Sequence, residues 1–224
     1  MKNYEVNEQE TIAVADDPQA RDLLRRAYET TYRWSQEFKG FSSSLEVTLN
    51  GKSVKGSVTV RLPEEVKVSL GDPEIEKWAE AQIGMMATHR GHRTFDTSDG
   101  KNILTLGEAD SHPLGRLVLI HGDGLNSRYR VKDNRIVQIN RNMGPVRFTI
   151  NVQDSIITRD GKFLNTRYIV YYFTPKGDLK QAESFNDEPV VVNGVYLPGK
   201  RRVFFSEGGE ACVKELLFSN HLLL

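Results

Sequence analysis

The stretch that decides the fold runs from residue 41 to residue 60 and reads FSSSLEVTLNGKSVKGSVTV. At its centre, Asn50-Gly51 is the preferred dipeptide for a two-residue type I′ turn, because both turn positions need positive φ. Folding the chain there places Glu46 opposite Lys55 on a polar face. The other face collects mostly apolar side chains, among them Phe41, Leu45, Val47, Val54, Val58 and Val60. A one-residue slip would mix the two faces, so we expect a half-buried antiparallel hairpin with a single register.

Two amphipathic helices are predicted on either side of this hairpin. The first is expected to begin at Asp17-Pro18, because an aspartate caps free helix amides and proline fits the first turn. Apolar residues then recur at helical spacing, which predicts about five turns with an end near Gly40. Asp72-Pro73 repeats the start signal, and this second helix should end near Gly91. Its apolar stripe comprises Ile75, Trp78, Ala79, Ile83 and Met86.

Beyond residue 92 the sequence favours strands and has no further strong helical period. Apolar and polar residues alternate over 145–153, and turn dipeptides such as Asn193-Gly194 separate many of the runs. Shorter runs are predicted as strands at 93–96, 179–186, 189–192, 195–198 and 201–206. No composition break or internal repeat divides the chain. We therefore expect a flexible tail over 1–16 and a single domain over 17–224.

Successive antiparallel strands joined by tight turns favour a meander, and a sheet of this length tends to curl. We predict an α+β fold that is mainly antiparallel β. In it, a strongly curved sheet or half-barrel meander carries two helices that cover its concave side. Curled sheets wide enough to leave interior space hold small ligands in several families.

Composition and charge exclude several classes of protein. The 30 Lys and Arg residues balance 30 Asp and Glu residues, so the basic surplus of a nucleic-acid binder is missing. A single cysteine, Cys212, excludes an intramolecular disulfide and a zinc site built on several thiolates. The longest apolar run, 168–173, is far shorter than the roughly 20 residues of a membrane-spanning helix. We expect neither nucleic-acid binding nor a membrane span.

The N-terminus lacks the features of an export signal. Residues 1–17 contain one Lys, five acidic residues and no apolar run, whereas a secretory signal combines a basic start with an apolar segment. We therefore expect a cytoplasmic location, or a stromal one in a plastid. Lys200-Arg201-Arg202 is typical of a solvated turn, and its alternative role is peripheral contact with acidic lipid headgroups or an acidic protein.

Several short motifs resemble the lipoprotein-carrier superfamily, typified by the periplasmic outer-membrane lipoprotein carrier. They are Phe38-Lys39-Gly40-Phe41 after a helix, the hairpin through Gly51, the strand after Leu62-Pro63, and Gly194 to Pro198. The resemblance implies a half-barrel with a helical lid over an apolar cavity. This chain departs from those carriers in lacking an export signal.

A second, narrower resemblance covers about residues 20 to 219. Segments 129–132, 147–150 and 171–173 are similar to an uncharacterised family of cyanobacteria and plastids. That family carries no assigned activity to transfer. It implies only a possible association with photosynthesis.

No catalytic or metal-binding constellation stands out in the sequence. His89 and His92 share a helical spacing, but Gly91 should end the helix between them and no third ligand is fixed nearby, so no metal is predicted. The Ser42-Ser43-Ser44 run is explained by the hairpin register and is not a nucleophile elbow. We predict a non-enzymatic protein without a cofactor.

The leading hypothesis is a binding or carrier protein for an apolar small molecule, a lipid or a pigment-like compound, held between sheet and helices. Methionine suits such a role because its side chain adapts to irregular cavities. The predicted ligand-binding residues are Phe41, Leu45, Val47, Val58, Val60, Trp78, Met85 and Met86. One alternative is an assembly or scaffold factor docking on a larger complex, which the narrower resemblance implies is photosynthetic. A third is a chromophore-lyase-like enzyme, which would require Glu46, Arg147 or Asp154 to converge inside the cavity.

Overall fold

The computed structural model describes residues 14–49, 51–63, 65–122, 125–142 and 144–224. Residues 1–13, most of the tail predicted over 1–16, lie outside the described residues. Next to them, the Asp16 carboxylate accepts hydrogen bonds from Arg21 Nε at 2.7 Å and from the Leu104 amide at 2.9 Å.

The described chain contains two α-helices, twelve strands and a short 3₁₀ helix over Asp99–Lys101. In order, the α-helices and strands are α1 (Pro18–Glu29), β1 (Gly40–Leu49), β2 (Lys52–Arg61), β3 (Glu65–Ser69), α2 (Pro73–Arg90), β4 (Ile103–Leu106), β5 (Arg116–His121), β6 (Arg128–Lys132), β7 (Arg135–Asn142), β8 (Arg147–Ile157), β9 (Phe163–Phe173), β10 (Leu179–Val192), β11 (Val195–Glu207) and β12 (Glu210–Leu223).

All twelve strands form one curved antiparallel sheet. Its order is β3-β2-β1-β12-β11-β10-β9-β8-β7-β6-β5-β4. Each strand pairs with its neighbour in sequence, except that β3 and β4 do not pair and β1 pairs with β12 instead. The sheet is therefore an unclosed meander with β3 and β4 at its edges, and the predicted half-barrel with two helices is confirmed.

The hairpin forms in the predicted register. Glu46 lies opposite Lys55, with Oε2 and Nζ 3.4 Å apart, and Val47 lies opposite Val54. Gly51 has φ +81°, the left-handed value that a type I′ turn needs; Asn50 lies outside the described residues. The polar face of this hairpin is the convex side of the sheet, and the apolar face is the concave side.

Helix α1 begins as predicted and ends early. The Asp17 carboxylate accepts from the amides of Gln19 and Ala20, and Pro18 occupies the first turn. The helix stops after 12 residues at Glu29, so the prediction of about five turns was wrong. Thr30 Oγ1 bonds back to the Arg26 and Ala27 carbonyls, which competes with helix propagation.

The residues after α1 join the sheet instead of continuing the helix. The amide of Tyr32 donates to the Phe163 carbonyl at 2.9 Å, next to a parallel bridge between Thr31 and Phe163. Gly40 starts β1 and is not a helix cap. A Cβ at Gly40 would lie 1.9 Å from the Val60 carbonyl oxygen, so this close approach of two strands requires glycine.

Helix α2 matches its prediction. Asp72 caps it, Pro73 occupies the first turn, and the Gly91 amide closes the last turn on the Ala87 carbonyl. Its side chains also accept hydrogen bonds from backbone amides at the open edge of the sheet. Glu80 accepts from the Val68 amide, and Glu76 accepts from the Leu70 amide. These bonds protect the exposed edge of β3 from pairing with another chain.

Three of the predicted short runs have a different form. Residues 93–96 are not a strand; Phe95 there is buried against α1. The runs 179–186 and 189–192 are one strand, β10, because a β-bulge between Glu188 and Pro189 accommodates a proline that cannot donate to the ladder. The runs 195–198 and 201–206 likewise merge into β11.

The two helices cover opposite ends of the concave face. Helix α2 packs beside β3 and over β1, β2, β11 and β12, where it forms a closed apolar core. Helix α1 packs over β4, β6 and β7 and forms a second core. Among the described residues, no helix is both long and apolar enough to span a bilayer. The middle of the sheet, β8 to β10, lies between these two cores.

Candidate functional site

The middle of the concave face is only partly covered. Its fully buried members are Val170, Phe185 and Val203. The apolar side chains packed around them remain half-buried; they are Trp78, Phe148, Ile150, Tyr168 and Tyr172. We call this region the central recess. It is a wall of apolar and aromatic side chains that solvent still reaches.

Helix α2 presents a separate stripe to the central recess. Trp78, Gln82, Met85 and His89 follow one another at intervals of four, three and four residues, which places them on one helical face. This face differs from the one that carries the core residue Ile83. The Met85 side chain is apolar and yet 43% exposed. The recess therefore has an adaptable methionine at the middle of its helical wall.

At the Trp78 end the recess opens into a cavity of about 180 Å³. Its lining combines Trp78, Gln181, Glu183, Val203, Phe205, Ser206, Glu207 and Lys214. The Lys214 ammonium lies 4.6 Å from the ring centre of Phe205 and 5.4 Å from that of Trp78, within cation–π range. Loss of hydration raises the pKa of Tyr172 to about 12 and also raises the pKa of the adjacent Glu183.

At the His89 end the recess is strongly basic. Arg33 follows α1, Arg93 follows α2 and Arg141 lies on β7, and the carboxylate of Asp99 sits among them. We call Arg33, Arg93, Arg141 and Asp99 the arginine cluster. The His89 side chain is exposed to solvent, and yet its pKa is lowered to about 4. The causes are loss of hydration first and then the charges of Arg93, Arg141, Arg201 and Arg33.

Two tyrosines and the Asp99 carboxylate hold two members of the arginine cluster in place. The Arg33 guanidinium stacks 3.7 Å from the ring centre of Tyr28 and donates to the Tyr28 carbonyl at 2.8 Å. Arg141 donates to the Tyr129 hydroxyl and lies 3.7 Å from an Asp99 oxygen. Burial lowers the pKa of Arg33 and raises the pKa of Asp99. The tyrosine contacts orient the guanidinium groups without neutralising them, and the single carboxylate of Asp99 is shared among the three arginines.

Beneath the recess lies a fully buried ionic group, the buried triad of Arg90, Arg201 and Asp187. Arg201 donates to both Asp187 oxygens, at 2.8 and 2.7 Å, and to the Tyr168 hydroxyl at 2.9 Å. Arg90 Nη2 lies 3.8 Å from the same carboxylate. The exposed fractions of Arg90, Arg201 and Asp187 are 6%, 3% and 6%. One carboxylate therefore serves two buried guanidinium groups.

The solvated turn predicted at Lys200-Arg201-Arg202 is wrong. These residues lie within β11, where side chains alternate between the two faces of the sheet. Arg201 points inward to Asp187, while Lys200 pairs with Glu188 at 2.8 Å and Arg202 pairs with Glu215 at 2.5 Å. Each of the three cations has its own cross-strand partner, which the turn prediction did not foresee.

The eight predicted ligand-binding residues separate into two groups. Six are buried in the closed core under α2 or on its buried side: Phe41, Leu45, Val47, Val58, Val60 and Met86. Trp78 lines the central recess and its cavity, and Met85 is 43% exposed on the same stripe of α2. A ligand contact for any of the eight stays a prediction.

The residues required for a lyase-like site do not converge. Glu46 pairs with Lys55 on the convex face, and Arg147 and Asp154 are exposed at other points of β8. Across the described ranges, no group of three or more His, Cys, Asp and Glu residues is arranged to hold a metal ion.

Sequence reasoning missed the arginine cluster entirely. Its members come from different parts of the chain, and the first and last of them, Arg33 and Arg141, are more than a hundred positions apart. No spacing pattern links them, because only the curvature of the sheet and the docking of two helices bring them together. The one available signal was the charged residue Arg141 at an inward position of a strand.

The architecture defines a class, a mainly antiparallel half-barrel whose helices cover the two ends of its concave face. The sequence over residues 15–224 matches a family described as protein of unknown function (DUF3386). The chain belongs to this family, which confirms the resemblance to an uncharacterised family; its cyanobacterial or plastid origin stays a prediction. No curated protein matches the sequence.

Three solved structures are similar in fold. A LolA superfamily protein from Nitrosomonas europaea is 12% identical, with 92% of this chain and 93% of that chain covered and a TM-score of 0.38. A Vibrio parahaemolyticus domain assigned provisionally to outer membrane lipoprotein sorting is 7% identical, with 92% of each chain covered and a TM-score of 0.35. A DUF1329 family protein from Desulfovibrio piger is 11% identical, with 92% of each chain covered and a TM-score of 0.27.

Proposed function

We propose that the protein is a non-enzymatic binding or carrier protein for an apolar small molecule, a lipid or a pigment-like compound. The observation that carries this proposal is the incomplete cover of the central recess. Phe148, Ile150 and Tyr172 are half-buried on the sheet, and Met85 is exposed on the helix that faces them. Apolar side chains inside a concave surface lose contact with water when a ligand occupies the space.

The recess offers enough apolar surface for measurable affinity. If a ligand buries about 300 Å² of apolar area, about 25 cal/mol per Å² contributes about 7.5 kcal/mol before the costs of association. Those costs are at least about 4 kcal/mol, so this area alone gives about millimolar affinity, and micromolar affinity requires about 500 Å². The polar cavity beside Trp78, with Glu183 and Lys214, admits a ligand that carries a polar substituent at that end.

The first experiment tests for a retained ligand. Protein purified from its natural host is analysed by native mass spectrometry and then extracted with organic solvent. A mass excess that the solvent removes, at up to one molecule per chain, supports the proposal. Absence of such a mass, together with failure of the extracted protein to bind the neutral lipophilic dye Nile red, would overturn it.

A pair of variants locates the site. Met85→Lys places a charge on the helical wall of the recess, whereas Val213→Lys places one on the convex face. The two side chains are 43% and 44% exposed in the wild type, so the variants should perturb folding similarly. We expect Met85→Lys to weaken Nile red binding by about tenfold or more, because a charge in an apolar site is costly. Equal effects of the two variants would place the ligand elsewhere.

A second candidate function is that of an assembly or scaffold factor for a larger protein complex. One observation favours it. Phe204 and Val213 are paired across β11 and β12 on the convex face, and each is 44% exposed. An exposed aromatic next to an exposed aliphatic side chain is a common component of docking surfaces. Crosslinking from position 204 in host cells should then return one stoichiometric partner, and Phe204→Ser should abolish its capture.

The location remains part of the proposal. A cytoplasmic or stromal carrier, and an association with photosynthesis, are both expectations from the sequence. Fractionation of host cells, with detection of the native chain, tests both. Recovery from an exported fraction would overturn the expected location and leave the ligand proposal intact.

A further inference from the structure

The basic end of the central recess carries an excess of positive charge. The arginine cluster contains three guanidinium groups and one carboxylate, and the buried triad beneath it contains two guanidinium groups and one carboxylate. The whole chain has zero formal net charge. Positive charge is therefore concentrated inside the fold at this point. Like charges held this close repel one another, so this arrangement costs stability unless an anion joins it.

Some of these guanidinium groups have donors without acceptors. Arg33 Nε, Arg93 Nε and Arg90 Nη1 are buried and have no hydrogen-bond partner. Within the described chain, Arg93 also forms no ion pair. An unsatisfied buried donor costs about 1–3 kcal/mol, and folded proteins rarely keep several in one place without a reason. Oxygen atoms of a bound anion are the acceptors that guanidinium donors match best.

The positive charge adjoins the apolar wall directly. Arg141 on β7 lies opposite Phe148 on β8, and Phe148 lies opposite Tyr172 on β9. Side chains that face each other across antiparallel strands are about 5 Å apart at Cβ. On the helical side, His89 follows Met85 by one turn on the same stripe. A molecule with its charged end at the arginine cluster would thus lay its apolar part along Phe148, Tyr172 and Met85.

We infer that the recess recognises an anionic amphiphile. Its carboxylate or phosphate group is held by Arg33, Arg93 and Arg141, and its apolar part lies against the central recess. This inference rests on the proposed function and specifies the chemical class of its ligand. His89 contributes no charge of its own at neutral pH and borders the site as a neutral imidazole.

The experiment compares four probes on the full chain by isothermal titration calorimetry: dodecanoate, dodecyl phosphate, 1-dodecanol and inorganic phosphate. Dodecanol has the same chain without a charge, and inorganic phosphate has the charge without a chain. We expect both charged amphiphiles to bind about tenfold or more tightly than dodecanol, since charge-assisted hydrogen bonds to arginine are strong. Inorganic phosphate alone should bind far more weakly than dodecyl phosphate.

Arg93→Gln is the informative variant, because Arg93 has no partner within the described chain whose loss would unfold it. Arg167→Gln, an exposed arginine on the convex side of β9, is the matched control. Arg93→Gln should remove the preference for charged amphiphiles, whereas Arg167→Gln should keep it. Arg33→Gln provides a second test, and thermal unfolding of each variant confirms that it is folded.

The possible outcomes separate the two proposals. Equal affinity for dodecanoate and dodecanol would overturn the anionic ligand and leave an apolar carrier. Equal affinity for inorganic phosphate and dodecyl phosphate would overturn the amphiphile and assign the cluster to a free oxyanion. Binding of none of the four probes, together with no Nile red binding, would overturn the proposed function as well. An unchanged preference in both folded variants would exclude the arginine cluster as the site.

Discussion

The two faces of helix α2 border very different parts of the protein. On its buried face, Ile75, Ala79 and Ile83 meet the inward side chains of the hairpin in a closed apolar core. On the other face, Trp78, Met85 and His89 lie on the side of a recess with half-buried aromatic residues and with the unsatisfied Nε donors of Arg33 and Arg93. One helix thus serves as core on one side and as the wall of a candidate site on the other. The position of α2 on the sheet, more than the hydrophobicity of the individual residues, determines which apolar side chains remain accessible to a ligand.

The largest loss of stability should come from removing the Asp187 carboxylate of the buried triad. Asp187→Ala would leave Arg90 and Arg201 buried without a counter-ion, and breaking a buried ion pair costs about 3–5 kcal/mol. Urea unfolding monitored by circular dichroism measures this loss. A triple variant, Asp187→Leu with Arg90→Met and Arg201→Met, should recover most of the stability, because it removes all three buried charges. Little destabilisation by Asp187→Ala alone would mean that the triad is accessible to water.

A comparison of two apolar truncations sharpens the contrast between core and recess. Leu45→Ala removes a side chain from the closed core and should lower the free energy of unfolding by about 2–5 kcal/mol. Met85→Ala removes a side chain that is 43% exposed, and its effect should stay below about 1 kcal/mol. Both are read from the same urea unfolding curves. Similar losses would show that the recess is packed as tightly as the core.

The change in the pH dependence of stability that a His89 variant causes probes the basic end of the recess. The pKa of His89 is about 4 in the folded protein, below its ordinary value of about 6.5. Between these values the unfolded chain binds a proton that the folded chain does not, so stability should fall as pH drops from about 6.5 towards about 4. The raised pKa of Asp99 and that of Glu183 act in the opposite direction. The difference between wild type and His89→Asn isolates the histidine, and identical pH profiles would contradict its depressed pKa.

The smallest effect on stability is expected where binding should suffer most. Arg93→Gln removes a cation from a group of like charges, so the free energy of unfolding should stay the same within about 0.5 kcal/mol or rise slightly. Equilibrium unfolding at low salt measures it. A loss of several kcal/mol would instead make Arg93 a structural residue. Raising the salt concentration should reduce any gain in stability, because screening weakens the repulsion that the variant removes.

Sequence reasoning worked where neighbours in the chain decide the structure. The register of β1 and β2 follows from one turn and from strict alternation, and both helix starts follow from an aspartate followed by proline. It failed where a distant segment competes. Helix α1 ends at Glu29 because the following residues pair with Phe163, more than a hundred positions away. The runs 179–186 and 189–192 were predicted as separate strands, whereas they form the single strand β10 with a bulge between Glu188 and Pro189.

The candidate site was accessible to sequence reasoning only in part. Trp78 was identified from the helical stripe, and it does line the recess, whereas Met85 was chosen for its adaptable side chain and is 43% exposed. The hairpin residues were placed on the correct face of the sheet, but that face lies under α2 and is fully buried. A periodic pattern indicates which side chains point inward. It does not indicate which of them a helix then covers.

By itself, the sequence determined the local elements of this protein, the alternation of its strands and the mainly antiparallel class of its fold, because turns, caps and alternation act over a few residues. Only the tertiary structure decided where α2 docks, which left the middle of the sheet open, and which arginines meet there. Arg33, Arg93 and Arg141 become neighbours through the curvature of a twelve-stranded sheet. Their shared charge is a property of that packing, since electrostatic interaction depends on distance in space and not on separation along the chain.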